Sequence, residues 1–185
     1  DKIMGANGGS GNANTTDDRT YYYETFPSNN LQLALWMESE RMFHPVINQI
    51  GVDTQREVVK EEKRMRMDNA PYGRLWESIK SNLFKKHPYR WAPIGSMEHL
   101  NAATLDEFKA FFKKFYLPSN AVLVIAGDFD KEQTKKWINE YFATIPSGPR
   151  PAKNQYVEDL ITTQINAVTE DPNIQLPMLL NAYRT

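Results

Sequence analysis

The chain has 185 residues, which is enough for one domain with a substantial core. Its 22 lysines and arginines nearly balance 23 aspartates and glutamates, and the resulting net charge of −1 argues against nonspecific binding of nucleic acid. The sequence has no cysteine, so disulfides and thiolate metal ligands are excluded and any zinc would need histidine and carboxylate donors.

The first quarter of the sequence predicts a turn, a hairpin and a helix. Residues 5–11 are glycine-rich and predict a turn in which backbones approach closely. Residues 12–26 are rich in threonine and tyrosine, and the break at Asp17–Asp18 divides them into two strands of a hairpin. Apolar residues then recur at helical spacing over 29–43, and Pro45 ends this pattern.

The next predicted helix has a glutamate on its apolar stripe. We expect the helix to begin at Asp53 as its N-cap and to end before Pro71. At about 100° per residue, one side of the helix holds a mainly apolar set: Gln55, Val58, Val59, Glu62, Met65 and Asn69. A glutamate turned toward a core is costly unless a cation, hydrogen-bond donors or a metal ion receives its charge. Helix geometry alone leaves three outcomes open for Glu62: an arginine partner, extension to the surface, or a metal ion.

The second half of the chain alternates predicted helices with one strand. Helical spacing extends over 72–85, and Thr104 with Glu107 forms a capping box at the start of another helix. The continuous apolar run 121–126 predicts a strand that is buried on both faces. Asp130 is the predicted N-cap of the last helix.

Composition also predicts the domain organisation. Residues 1–148 are expected to form a partial α+β domain, 149–173 a linker rich in turn-forming and polar residues, and 174–185 the start of a following strand or second unit. No apolar run approaches the roughly 20 residues of a membrane helix. The sequence opens on Asp1 without the basic and apolar regions of a signal peptide, so we expect it to be a fragment of a longer protein.

Three motifs follow one another along the chain. They are the glycine- and threonine-containing segment 8–22, the helical pattern Gln55-Arg-x-Val-Val-x-x-Glu62, and the segment Tyr116-x-Pro-x-Asn120 with the apolar run that ends at Gly127-Asp128. Together they resemble the pitrilysin/insulinase family of zinc metallopeptidases, whose metal box is His-x-x-Glu-His. The resemblance covers most of residues 3–146. It implies an antiparallel-rich sheet with helices packed on one face, from which the N-terminal strands and the metal helix are missing here.

The resemblance also implies the roles of a metal site. In this family the two histidines of the box and a later glutamate bind zinc, while the glutamate inside the box activates water. Glu62 matches the later glutamate, so it is an expected metal ligand only if the upstream histidine pair is present. By the same register the box is expected before Asp1. We therefore expect no catalytic residue in this chain, and zinc in the intact parent only.

The resemblance also implies roles for Gln55 and for the residues 12–15. Active relatives commonly have a glutamate where this chain has Gln55; a neutral amide can still orient a histidine but supplies no charge. Asn12, Ala13, Asn14 and Thr15 match the edge strand that aligns an extended peptide substrate by backbone pairing.

The three histidines of this chain do not supply the missing zinc ligands. His44, His87 and His99 are scattered, and no pair has the spacing of four residues that places two imidazoles on one helix face. Capping, surface or partly buried polar roles are the expected ones for all three.

The expected function is that of a fragment of a zinc metalloendopeptidase, inactive by itself. A noncatalytic structural or peptide-binding member of the family is the alternative, and an unrelated α/β ligand-binding domain is a third possibility. Expected partners are a peptide or unfolded-protein substrate and a second homologous domain or subunit, with no nucleic acid and no membrane span. An unprotected sheet edge also predicts self-association of the isolated fragment. Relatives of this type are often exported in bacteria, which suggests the periplasm.

Overall fold

The threonine- and tyrosine-rich segment folds into an antiparallel hairpin in this computed structural model, which describes residues 2–184. Strand β1 (Ser10–Thr15) pairs with β2 (Thr20–Thr25), with Ser10 opposite Thr25 and Thr15 opposite Thr20. The Thr16 N–H donates to the Arg19 carbonyl at 2.9 Å and closes the turn. The predicted hairpin is therefore confirmed. Within residues 2–184 this is the only sheet.

Helices make up most of the remaining regular structure. They are α1 (Lys2–Ala6), α2 (Leu31–Phe43), α3 (Gln49–Lys63), α4 (Leu75–Leu83), α5 (Met97–Ala102), α6 (Leu105–Phe115) and α7 (Lys131–Phe142). A π-helical turn, Arg64–Asp68, continues α3. No described residue after Phe142 lies in a helix or strand. The chain is thus of the α+β class, as predicted, with many helices and a small antiparallel sheet. Between residues 2 and 184, no helix combines the length and apolar composition needed to cross a membrane.

The chain divides into two units. Unit 1 comprises Asp1–Asn48 and Thr104–Ala152, and unit 2 comprises Gln49–Ala103 and Lys153–Thr185. The composition-based expectation of a partial domain at 1–148, a linker at 149–173 and the start of a following strand or second unit at 174–185 stays a prediction.

Unit 1 contains the hairpin, α1, α2, α6 and α7. Its buried residues include Leu35 of α2 and Thr134 of α7, and the two helices pack against each other. At Gly9 a β-carbon would lie 2.5 Å from the Phe26 ring and 2.8 Å from the Met4 side chain. The predicted close approach is therefore confirmed at Gly9, because any larger residue would displace its neighbours. The predicted turn is shorter than expected, since residues 5–6 belong to α1 and residues 10–11 to β1.

Local helix signals are accurate at α6 and α7. The Thr104 hydroxyl accepts from the Glu107 N–H at 3.3 Å, and the Glu107 carboxylate accepts from the Thr104 N–H at 2.8 Å. The Asp130 carboxylate accepts from the Gln133 N–H at 2.7 Å. Both predicted N-termini are confirmed, since the side chains bond main-chain donors that the first helical turn leaves unpaired.

Two predictions from local pattern are wrong. Helix α3 begins at Gln49, so Asp53 is not its N-cap; the Asp53 carboxylate instead accepts from the side chains of Gln49 at 2.9 Å and Arg56 at 2.5 Å on the helix surface. The apolar run 121–126 is not a buried strand. It is unpaired within the described chain, and Val122 and Val124 are 88% and 78% exposed. A strand needs a neighbouring backbone, which the pattern of one segment does not supply.

Candidate functional site

Strand β1 has one free edge in unit 1. All four residues of the predicted substrate strand, Asn12–Thr15, are exposed. Strand β2 pairs with one side of β1, and among the described residues no strand pairs with the other side. Such an edge presents unpaired main-chain donors and acceptors to another extended chain.

The hairpin register identifies which groups face that free edge. Thr16 and Arg19 form a hydrogen-bonded pair, and in an antiparallel ladder such pairs alternate with non-bonded ones. It follows that Gly11, Ala13 and Thr15 direct their N–H and C=O groups away from β2. Consistent with this, the Ala13 N–H donates to the Asn12 side-chain oxygen at 2.8 Å. The Asn12 amide therefore occupies one of the donors of the edge.

The two faces of the hairpin differ in their environments. On one face the Tyr22 hydroxyl lies 2.5 Å from the Tyr116 hydroxyl, and the Arg41 guanidinium lies 4.7 Å from the Tyr22 ring centroid. On the other face Tyr21 and Tyr23 are exposed and stacked, with ring centroids 5.6 Å apart. The first face anchors the hairpin to helices, while the second is accessible.

A buried acidic cluster supports the anchored face. Glu24 of β2 is only 9% exposed, and Arg41 of α2 donates to it at 3.1 Å and to Glu38 at 3.0 Å. Burial raises the pKa of Glu24 to about 7; the neighbouring Glu38 adds to the rise and Arg41 opposes it. The second Glu24 oxygen, Oε2, is buried without a partner as long as both carboxylates are ionised. A proton on Glu24 lets it donate to Glu38, so the protonated acid suits this environment. Burial and the bond to Tyr22 likewise raise the pKa of Tyr116.

This cluster predicts a pH-dependent contribution to stability. Because the folded-state pKa of Glu24 is raised from 4.5 to about 7, its contribution is complete below pH 4.5 and is lost as pH rises through 7. Glu24→Gln keeps a donor for Glu38 but does not titrate. Between pH 4.5 and 8 the wild type loses this contribution and the variant does not. We therefore expect the free energy of unfolding of Glu24→Gln minus that of wild type to rise by up to about 3 kcal/mol over this range. Urea unfolding at both pH values measures this difference. Glu132→Gln, a change in the exposed pair with Lys135, is the control, and an equal pH response of both variants would contradict the prediction.

Helix α3 places Glu62 on an accessible face of unit 2. Its carboxylate lies 2.8 Å from the Arg66 guanidinium, and its side chain is 39% exposed. The neighbours Val58 and Met65 on the same stripe are also exposed. The expected burial of this stripe is therefore wrong in unit 2, and an arginine partner is the outcome found for Glu62. Gln55, two turns earlier, is exposed as well.

An adjacent face of α3 is buried through long basic side chains. Arg56 donates to the carbonyls of Leu100 and Ala103 at 2.9 and 2.6 Å, and Lys63, 9% exposed, lies 3.0 Å from Asp68. Their aliphatic stems pack inward while the charged ends reach acceptors, which explains why hydrophobicity alone gave the wrong face.

Glu62 alone does not fit a zinc site. A catalytic zinc takes three protein ligands, and in residues 2–184 no group of three acidic or histidine side chains could hold a metal ion. His44 pairs with Glu40 at 3.0 Å, and the His87 ring accepts from the Tyr89 N–H at 3.1 Å. Among the described residues Glu62 therefore has no companion ligands beside it, and its role as one zinc ligand of three stays a prediction.

A second carboxylate contact was not anticipated from the sequence. The main-chain N–H groups of Lys85, Lys86 and His87 converge on the Glu158 carboxylate at 2.6–3.0 Å. Arg184 lies 3.3 Å from the same carboxylate. The hydrogen bond from His87, with those from Lys85 and Lys86 and the charge of Arg184, lowers the pKa of Glu158 to about 2. Consecutive N–H groups that converge in this way form an anion-binding nest, here filled by the chain itself.

Comparisons with known proteins agree with the motifs. The family model described as Insulinase (Peptidase family M16) matches residues 1–93, and the one described as Peptidase M16 inactive domain matches residues 102–185. The zinc protease PqqE of Helicobacter pylori is 32% identical over 145 residues, which are 78% of this chain and 33% of PqqE. The chain thus spans about a third of the length of this curated relative.

Solved structures show the same fold. A protease from Helicobacter pylori superposes with a TM-score of 0.76 at 30% identity, covering 83% of this chain and 37% of that one. A mutant of the ferredoxin protease FusC in complex with Arabidopsis ferredoxin gives 0.69 at 26% identity, covering 80% and 16%. The periplasmic protease PqqL of Escherichia coli gives 0.68, covering 79% and 16%; at 24% identity it shows the fold alone.

Proposed function

Because the chain belongs to the insulinase family of peptidases, peptidase family M16, we propose that it is part of a zinc-dependent endopeptidase whose peptide substrate pairs with β1. The observation that supports this most directly is the free edge of β1. There Gly11, Ala13 and Thr15 direct main-chain donors and acceptors outward. Pairing through the main chain binds many sequences, so peptides and unfolded proteins are the proposed substrates.

Glu62 is the proposed zinc ligand of this chain. It would complete a site with two histidines of a His-x-x-Glu-His box, which the printed sequence does not contain. A zinc held in that way would polarise a substrate carbonyl and lower the pKa of its bound water. In the structure the Arg66 guanidinium balances the charge of Glu62 at 2.8 Å. Gln55, on the same accessible face, is the proposed support for a zinc-bound histidine. By itself the chain is proposed to be inactive and free of zinc.

A noncatalytic role is the second candidate. The match of residues 102–185 to the model described as Peptidase M16 inactive domain favours it, as does the neutral side chain at Gln55. In that case the chain would bind peptides or hold an active partner domain without cleaving anything itself. Cleavage of an unstructured peptide by the zinc-loaded full-length protein, stopped by a chelator, distinguishes the two candidates.

Membership of this family also suggests which domains or chains associate with this one and in which compartment. A second homologous domain or subunit is proposed to close over the peptide, and the isolated chain is proposed to self-associate through the free edge of β1. Strict monomers at high concentration in sedimentation experiments would contradict the latter. The periplasm is the proposed compartment, in line with the periplasmic relative PqqL.

Peptide binding at β1 is tested by Ala13→Pro. The Ala13 N–H faces away from β2 and bonds only the Asn12 side chain, which a peptide carbonyl would replace. Proline therefore removes a donor of the free edge without removing a main-chain bond between β1 and β2. We expect the full chain to bind an extended fluorescent peptide and Ala13→Pro to weaken it at least about tenfold. Circular dichroism verifies that the variant is folded, and Ala126→Pro is the matched control outside the hairpin. Equal binding by Ala13→Pro and wild type would refute pairing at this edge.

A further inference from the structure

Two tyrosines on the accessible face of the hairpin have no anchoring contact. Tyr21 and Tyr23 are 45% and 43% exposed, and their rings stack with 24° between their planes. Neither hydroxyl has a hydrogen-bond partner among the described residues. Tyr22, which lies between them in sequence and on the other face of the sheet, has its hydroxyl bonded to that of Tyr116. The Arg19 guanidinium lies 5.0 Å from the Tyr21 ring centroid, which restricts that ring. The hairpin is thus anchored through Tyr22 and Glu24 on its other face, which leaves this aromatic pair available.

The strand register places the pair next to the free edge. Tyr21 lies opposite Asn14 and Tyr23 opposite Asn12, so these four side chains share one face of the sheet. A peptide paired with β1 would project every second side chain onto the same face, beside Asn12 and Asn14. Its side chains and the two tyrosines would then stand on either side of β1.

The residues of β1 leave room for contact across the strand. The strand has the sequence Ser-Gly-Asn-Ala-Asn-Thr and contains no large side chain. A peptide on the free edge of β1 would lie two strand spacings, about 10 Å, from β2. Rings on the peptide and on β2 can still meet above β1, because the side chains between them, Asn12 and Asn14, are shorter than a tyrosine, and two stacked rings offer a broad apolar surface. An aromatic or long aliphatic side chain of the peptide would cover that surface and remove it from water, while a serine would not.

We propose that Tyr21 and Tyr23 form a subsite that selects peptides with aromatic or long aliphatic side chains at alternate positions. The inference rests on the proposed pairing of substrate with β1 and adds a preference to it. The main chain would provide binding that is independent of sequence, and the tyrosine pair would favour apolar segments of unfolded proteins. Tyr21 and Tyr23 are therefore specificity residues that contact substrate, rather than groups that take part in bond cleavage.

The test compares two labelled ten-residue peptides, identical except for phenylalanine or serine at two alternate positions. The full 185-residue chain is titrated with each, and fluorescence anisotropy gives the dissociation constants. We expect the phenylalanine peptide to bind about tenfold more tightly. In Tyr21→Ser/Tyr23→Ser this preference is expected to fall below about threefold, while the serine peptide binds as to wild type. Tyr21→Phe/Tyr23→Phe should restore the preference, because the rings rather than the hydroxyls make the contact.

Controls separate this inference from the proposal on which it rests. Tyr183→Ser changes an exposed tyrosine of unit 2 and should leave both constants unchanged. Amide shifts of Gly11, Ala13 and Thr15 report whether peptide binds at β1. Equal binding of both peptides with these shifts present would overturn the subsite and leave the pairing intact. Binding of neither peptide would overturn both.

Discussion

In the full-length protein that contains this chain, Glu62→Gln is expected to reduce peptide hydrolysis at least about 100-fold and to lower the zinc content of the purified protein. An amide oxygen is a weaker zinc donor than a carboxylate, and a site with three protein ligands would lose its only anionic one. Elemental analysis of gel-filtered protein and the rate of cleavage of an unstructured peptide measure the two effects.

The neighbours of Glu62 on α3 provide matched controls. Glu61→Gln alters the pair with Arg64 at 3.0 Å, and Arg66→Met removes the observed partner of Glu62. Both should retain zinc and activity. If Glu62 served only as a surface ion pair, Arg66→Met would reproduce the defect of Glu62→Gln. The isolated chain should contain no zinc after metal soaking and gel filtration, and one zinc per chain would contradict the proposed ligand set.

Glu158→Ala is expected to release the segment that follows residue 153 from the rest of unit 2. The carboxylate receives three main-chain N–H groups and the Arg184 guanidinium, so its removal leaves several donors without an acceptor. Limited trypsin digestion at neutral pH should cleave after Lys153 at least about ten times faster than in wild type, because cleavage follows the population of the open segment.

The pH dependence of this contact has the opposite sign to that of Glu24. The folded-state pKa of Glu158 is lowered from 4.5 to about 2, so its contribution is complete above pH 4.5 and is lost as pH falls toward 2. Asp159→Asn is the control, since the Asp159 side chain is 86% exposed and its carboxylate pairs with Lys86, while the bond from Arg184 goes to the Asp159 main-chain carbonyl, which the substitution keeps. Equal cleavage rates for wild type and Glu158→Ala would show that the nest does not hold the segment.

The sequence predicted the features that depend on residues close together in the chain. The threonine and tyrosine run specified the hairpin, and the Thr104–Glu107 capping box and Asp130 specified two helix starts to the residue. The buried face of α3 was missed because Arg56 and Lys63 bury their aliphatic stems. The acceptors of Arg56 lie more than forty positions along the chain, and that of Lys63 is Asp68.

The residues of the candidate site also fall into those that the sequence predicted and those that only the structure revealed. The edge strand and Glu62 came from a family motif, since helix geometry alone left the partner of Glu62 open. The contact between Glu158 and Lys85–His87 could not be predicted, because main-chain donors have no sequence signature and the partners lie about seventy positions apart. That Tyr21 and Tyr23 are exposed, stacked and free of hydrogen bonds is visible only in the structure.

The unpaired run 121–126 has a consequence for the handling of the isolated chain. Its six residues, Ala-Val-Leu-Val-Ile-Ala, are uncharged and contain neither proline nor glycine, and Val122 and Val124 face water. Segments of this kind stack across chains into the dry, interdigitated sheets of amyloid fibrils. Asp128 and Pro118 border the run but do not interrupt it. Fibril formation that begins at this segment, with a lag phase that shortens on seeding, is thus a built-in hazard of the fragment.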